Sequence, residues 1–357
     1  MRGEVSRHEA LEANRRWRER MKQGTLSAFL RRSPPRIHFC CSEDGHASFL
    51  VSPPKGYVRI GEASVAVTAG KRGVFLEVWR DPLTMKEEPA EPEPTKCDDV
   101  PLLISNLQKA VRRCRQAESA ATALELSHVP TGFLALCRRL PVIAVEDCGR
   151  PDRDLVTCVW LMLASDKYRP RPKDVGFLER YAYALAAAPS RDEDEEEDDD
   201  DDGARKRRKV EGGSDWQRAD ERGDHVSMAL LVRAAHGGMR WDVDLLRASG
   251  ANDHSLSRKA ATPRALEGFA SRRLRREDVL PESADFHVDG SMAHKLVSRC
   301  KPGTTVERVK EAIWAKSSGV NARREKACDG ETERLYWSFY QHLRALQGQR
   351  IDRAFRD

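Results

Sequence analysis

The sequence predicts a mainly α chain of the α+β class: an all-helical domain preceded by a small antiparallel β meander and a basic N-terminal helix. Three observations carry this. From Val100 onward apolar residues recur at steps of three and four, the period of helices with one buried face. Between Arg36 and Arg80 the period falls to two and turn residues separate short runs, as in strands covered on one side. In the first 35 residues, Trp17, Met21, Leu26 and Leu30 fall roughly on one side of an arginine-rich segment, a thin stripe that suits an arm.

Taken in order, residues 1–35 form the basic N-terminal helix. In residues 36–80, Ile37 to Cys40 and Ala47 to Val51 flank Glu43-Asp44-Gly45, a hairpin signal. Tyr57 to Ile60, Ser64 to Thr68 and Val74 to Trp79 follow, the last two joined by the turn Gly70-Lys71-Arg72-Gly73. So small a sheet needs a second layer over its apolar face. Residues 81–98 are rich in proline and glutamate and read as a linker.

Residues 99–188 read as helical. Leu103, Leu107 and Val111 recur opposite Lys109, Arg112 and Arg113, and a short helix follows around Ala120 to Leu126. Pro130-Thr131 opens a helix through Phe133, Leu136, Leu140 and Ile143 that stops near Gly149. Pro141 within it predicts a kink or a break. Asp152 to Ala164 and Pro172 to Ala188 continue the helical period.

Residues 189–223 interrupt it. Eleven consecutive acids (192–202) precede Ala204-Arg205-Lys206-Arg207-Arg208-Lys209-Val210, and like charges this dense bury no surface, so a disordered loop is expected. Residues 224–357 resume the helical domain. Val226 to Ala235 stops at Gly237-Gly238 and the pattern restarts through Trp241 and Leu245. Thr262-Pro263 opens a helix expected to end in Arg272-Arg273-Leu274-Arg275-Arg276. Thr304 and Glu307 have capping-box spacing, and Leu335, Phe339 and Leu343 mark a last helix.

The 357 residues carry a net charge of +5, and the eleven acids conceal a body at +16. Such a body suits an anionic polymer, because lysine and arginine release counterions from phosphates. No apolar run approaches the length of a membrane span, and the N-terminal stretch lacks the apolar core of a secretory signal. No membrane partner is therefore expected. Nine cysteines, an odd number without a signal, suit reduced thiols inside a cell.

The sequence holds no Gly-x-x-x-x-Gly-Lys-Ser/Thr, Gly-x-Gly-x-x-Gly, His-Glu-x-x-His or Gly-x-Ser-x-Gly. No catalytic residue and no cofactor is predicted. Arg205, Lys206, Arg207, Arg208, Lys209 and Val210 form a compact cationic strip in a flexible loop, the form of a nuclear import signal. It implies an import receptor as partner and the nucleus as location, while the neighbouring acids suit histones or serve as a spacer. Arg112, Arg113, Arg138, Arg139, Arg272, Arg273, Arg275 and Arg276 are the candidate phosphate contacts. Trp314 and Trp337 offer either stacking faces or core. Asp285, His287 and Asp289 share one face if their segment is extended, a possible divalent-ion site against the alternative of a polar loop capping a helix. His38, Cys40, Cys41 and His46 are poorer zinc ligands, since alternation sends the cysteines to opposite faces.

One stretch resembles a known family. Lys109-Ala110-Val111-Arg112-Arg113 is followed by Arg138-Arg139-Leu140, Ile143-Ala144, Glu146-Asp147, Gly149 and Pro151-Asp152. This is similar to the helical collar after the AAA module in the RarA/MgsA family, clamp-loader-like ATPases that act at stalled replication forks. The resemblance covers about 60 residues; the ATPase module is missing, a β segment stands in front, and the later helices do not match. It implies a collar fold and association with replication assemblies, not ATPase activity. The residues leave two readings of the charges. Arg138 and Arg139 either pair with Glu146 and Asp147, which cap the next helix, or reach phosphate.

The expectation is a nuclear, non-enzymatic protein that binds DNA or replication and repair factors. The alternatives are a metal-dependent enzyme using Asp285, His287 and Asp289, or a chromatin adaptor acting through the acidic loop.

Overall fold

The computed structural model describes residues 36–65, 74–91, 93–149, 151–165, 168–188, 215–252, 254, 266, 268–284, 290–317 and 330–355. The expected N-terminal helix, residues 189–214 of the expected disordered loop and the import strip within them lie outside these; residues 215–222, expected to belong to that loop, are helical, with Trp216 and Ala219 buried against the core.

The chain is mainly helical with one four-stranded sheet. Strands β1 (Arg36–Cys41), β2 (Ala47–Leu50), β3 (Val58–Val65) and β4 (Val74–Arg80) lie in the order β2-β1-β4-β3. The expected antiparallel meander is corrected here, because β1 and β4 are central and run parallel, Ile37 opposite Leu76 and Phe39 opposite Val78. The two most buried strands take the centre, where both neighbours satisfy their backbone. The four-residue β2 and the charged β3, bulged between Arg59 and Gly61, take the edges. Pro53-Pro54 lies in the connection after β2, which crosses to the far edge instead of folding back as a hairpin. The two strands expected at Tyr57–Ile60 and Ser64–Thr68 are one, β3.

Helices α1 (Val100–Arg112), α2 (Gln116–His128), α3 (Gly132–Glu146), α4 (Arg153–Ala164) and α5 (Pro172–Ala187) follow, then α6 (Asp215–Arg222), α7 (His225–Ala235) and α8 (Arg240–Gly250). Short α9 (Pro281–Ala284) precedes α10 (Gly290–Val297), α11 (Val306–Ser317) and α12 (Gly330–Ala354). Helix α4 is the second layer that the sheet requires. Trp160 on α4 is fully buried, and its indole N–H donates to the carbonyls of Phe39 (3.1 Å) and Trp79 (3.2 Å). The backbone N–H groups of Ala47 and Phe49 on edge strand β2 donate to Thr157 Oγ1 (3.0 Å) and His225 Nδ1 (2.9 Å). Sheet and helices thus share one apolar core. A smaller cluster joins α10, α11 and α12 through Leu296, Val309, Ile313, Tyr336, Phe339 and Leu343.

Pro141 does not break α3, which runs on through it. Proline lacks the N–H that would reach the carbonyl of Cys137 one turn earlier. That carbonyl instead accepts the thiol of Cys158 on α4 at 3.3 Å, so the missing bond is replaced from a neighbouring helix. The Pro/Glu-rich stretch lies against the helices. Ala90 N–H donates to Pro170 O (2.9 Å), and the amides of Lys96 and Cys97 both donate to Glu125 Oε1. Residues 269–275, expected to be helical, are not. Their arginines reach carboxylates on separate segments, which an extended chain permits and one helix face does not.

Candidate functional site

Helix α1 begins at Asp99, whose carboxylate caps Leu102 N–H at 3.0 Å. Its buried Leu103, Leu107 and Val111 fix its rotation in the core, and this turns Gln108 and Arg112, one turn apart, toward the end of α3. There Arg112 Nε donates to Asp147 Oδ1 at 2.5 Å and Nη2 to Glu146 Oε1 at 2.8 Å. The Gln108 amide donates to the same two carboxylates, at 2.9 Å and 3.3 Å. Its oxygen accepts from Arg139 Nη2, and Arg139 Nη1 donates to Asp242 Oδ2 on α8 at 2.9 Å. One polar chain thus joins α1, α3 and α8. Burial holds the Asp147 carboxyl above its ordinary value, and Arg112 offsets this only in part.

This decides between the two sequence readings in part. Glu146 and Asp147 are paired, but by Arg112 rather than by Arg138 or Arg139. They do not cap the next helix either: Asp152 does, accepting from Asp154 N–H (3.0 Å) and Leu155 N–H (3.3 Å). Between them Gly149 has φ +66°, the left-handed conformation that glycine adopts at least cost.

Beyond Arg139 the charge is unbalanced. Arg233 on α7 is 3% exposed, and its Nε and Nη1 donate to the carbonyls of Arg138 (2.8 Å) and Gly237 (2.7 Å). Among the described residues no carboxylate lies within ion-pair distance of it. Burial, then the nearby Arg138, pushes Arg233 down to about 10, so it stays cationic at neutral pH. Arg138 Nη2 reaches the carbonyl of His236 at 3.4 Å. Among the described residues, three guanidiniums therefore meet one carboxylate, Asp242, which Arg139 already holds.

The remaining candidate arginines hold acids. Arg272 grips Asp278 with two bonds of 2.5 Å and 2.9 Å. Arg273 holds Glu93 and lies 3.6 Å from Glu125; Arg275 lies 3.6 Å from Asp278; Arg276 pairs with Asp352. Arg113 is half-buried beside the end of α1. The structure brings Arg112, Arg138 and Arg139 to one junction and Arg272, Arg273, Arg275 and Arg276 to another. Sequence reasoning missed Gln108, Arg233 and Asp242. Only the Gln108–Arg112 spacing of four was a visible signal.

Asp285, His287 and Asp289 lie outside the described residues, as do Arg205 to Val210 and the side chain of Trp314. Trp337 is 56% exposed. His38 faces Glu77 at 3.0 Å, and burial pushes the Cys41 thiol up to about 12. Among the described residues no three histidine, cysteine or acidic side chains cluster to hold a metal, and no helix is long and apolar enough to cross a membrane. No family model, curated protein or solved structure matches this chain.

Proposed function

We propose that the protein is a nuclear, non-enzymatic factor that binds DNA or replication and repair proteins, built on a clamp-loader-like helical collar. The observation that supports this reading is the junction of Arg112 with Glu146 and Asp147. These residues belong to the pattern that resembles the RarA/MgsA collar, and their contact gives that pattern a physical reason to be kept together: it fastens two helices. The uncompensated positive charge beside it, at Arg138 and Arg233, suits a polyanion.

The test is binding of the full chain to a labelled forked duplex over a salt series. Affinity that falls steeply with salt is expected. Folded protein that binds no DNA at low salt and captures no replication or repair protein in an affinity pull-down would sink the reading. For the import strip, replacing Lys206, Arg207, Arg208 and Lys209 by alanine is expected to leave a fluorescent fusion in the cytoplasm. Unchanged nuclear retention would assign import to another segment.

A further inference from the structure

The connection from α7 to α8 turns on two glycines. Gly237 has φ +74° and Gly238 φ +141°, conformations that other residues adopt only with strain. Arg233 clamps the turn through the Gly237 carbonyl, Arg138 reaches the His236 carbonyl, and Arg139 fixes the first turn of α8 through Asp242. A reversal held at three points projects Met239, Arg240 and Trp241 outward. Met239 is 63% exposed, Trp241 76% and the Arg240 side chain 94%. Among the described residues the counter-charge of Arg240 is an exposed Asp244 3.8 Å away, a pair worth little in water.

Solvent-facing indole is disfavoured by the hydrophobic effect, and here the backbone is braced to present it. Of the charges around it, Asp242 is held by Arg139 and the exposed Asp244 lies against Arg240, while Arg138 and Arg233, which brace the turn, have no carboxylate partner among the described residues. Aromatic faces among arginines recognise unpaired nucleic acid, since any base stacks on an indole while guanidiniums hold the phosphates. A duplex keeps its bases stacked on each other and offers the indole no face.

We propose that the α7–α8 turn is a contact site for single-stranded nucleic acid, with Trp241 as the stacking platform and Arg138 and Arg240 as phosphate contacts. The proposal rests on the nucleic-acid form of the function proposed above and names the site for it. Fluorescence anisotropy of the full-length protein with labelled oligo-dT, oligo-U and a duplex of equal length tests it. Wild-type protein is expected to prefer a single strand, the dT and U arms separating DNA from RNA. Trp241→Ala is expected to weaken that binding about tenfold, and Trp241→Phe to keep most of it. Arg138→Gln with Arg240→Gln is expected to reduce the salt slope by about 0.7 for each phosphate that is no longer neutralised. Unchanged thermal melting of Trp241→Ala establishes that the fold is intact. If wild type binds forked DNA and Trp241→Ala binds it and both single strands within twofold of wild type, this site is overturned while the broader reading stands. If wild type binds no nucleic acid at low salt, both lose their direct-contact form. Loss of self-association in Trp241→Ala, with nucleic-acid affinity unchanged, would assign the turn to a second copy and also overturn the proposal.

Discussion

Arg112 holds two adjacent carboxylates at the far end of a neighbouring helix, Asp147 through Nε and Glu146 through Nη2. The Arg112 and Asp147 side chains are 11% and 3% exposed, so neither charge can turn to water if the other is removed. Arg112→Ala is therefore expected to cost about 3 kcal/mol, because it strands a buried carboxylate. Urea unfolding of Arg112→Ala, Asp147→Asn and the double variant measures it. A loss below about 1 kcal/mol, or strictly additive effects, would show that the pair is not coupled.

Trp160 fastens the sheet to the helices through a single indole N–H shared by two carbonyls from the central strands. Trp160→Phe retains an aromatic ring but removes the donor, and about 1–2 kcal/mol of stability is expected to go with it. Trp160→Ala adds a cavity and is expected to cost about 3–5 kcal/mol. Equal stability of wild type and Trp160→Phe in chemical unfolding would contradict a role for the donor.

Asp152 gives a pH signature. Burial, followed by the neighbouring Asp154 charge, pushes its carboxyl up to about 7, against about 4 in an unfolded chain. Between those values the folded state binds the extra proton, so stability falls as pH rises from about 4 to about 7. Asp152→Asn keeps an oxygen for the cap and removes the titration. Relative to wild type, it is expected to gain stability between pH 5 and pH 8 in thermal melts. Parallel curves for the two proteins would contradict the assignment.

Asp224 starts α7 and is 1% exposed. Its carboxylate accepts from Ser227 N–H (3.0 Å), Ser227 Oγ (2.6 Å) and His254 N–H (2.7 Å). Asp224→Ala removes all three acceptor contacts and is expected to cost about 2 kcal/mol, the upper end of the range for helix caps. Asp224→Asn, which still offers one oxygen, is expected to cost less. The reverse order in urea unfolding would contradict the role of the side-chain oxygen as the cap.

The helices were legible because each needs only its own period. Leu103, Leu107 and Val111 spell out the buried face of α1 before any partner is known. The sheet was legible as strands but not as a topology. Turn residues mark where a strand ends, yet nothing local distinguishes a chain that folds back from one that crosses to the other edge, and β4 pairs in parallel with β1. The charged pattern from Arg112 to Asp147 announced a junction but named the wrong arginine for it.

The sequence by itself determined most of the helices and strands among the described residues and which charges gather near one junction, because these follow from neighbours a few positions apart. Only the tertiary structure decided that Arg112, not Arg139, holds Glu146 and Asp147, that Arg139 turns to Asp242, and that Trp241 faces solvent on a turn braced by Arg138 and Arg233. Those contacts depend on how each helix is rotated about its axis when the core closes. That rotation is set jointly by all the apolar faces that meet there, and no single segment encodes it.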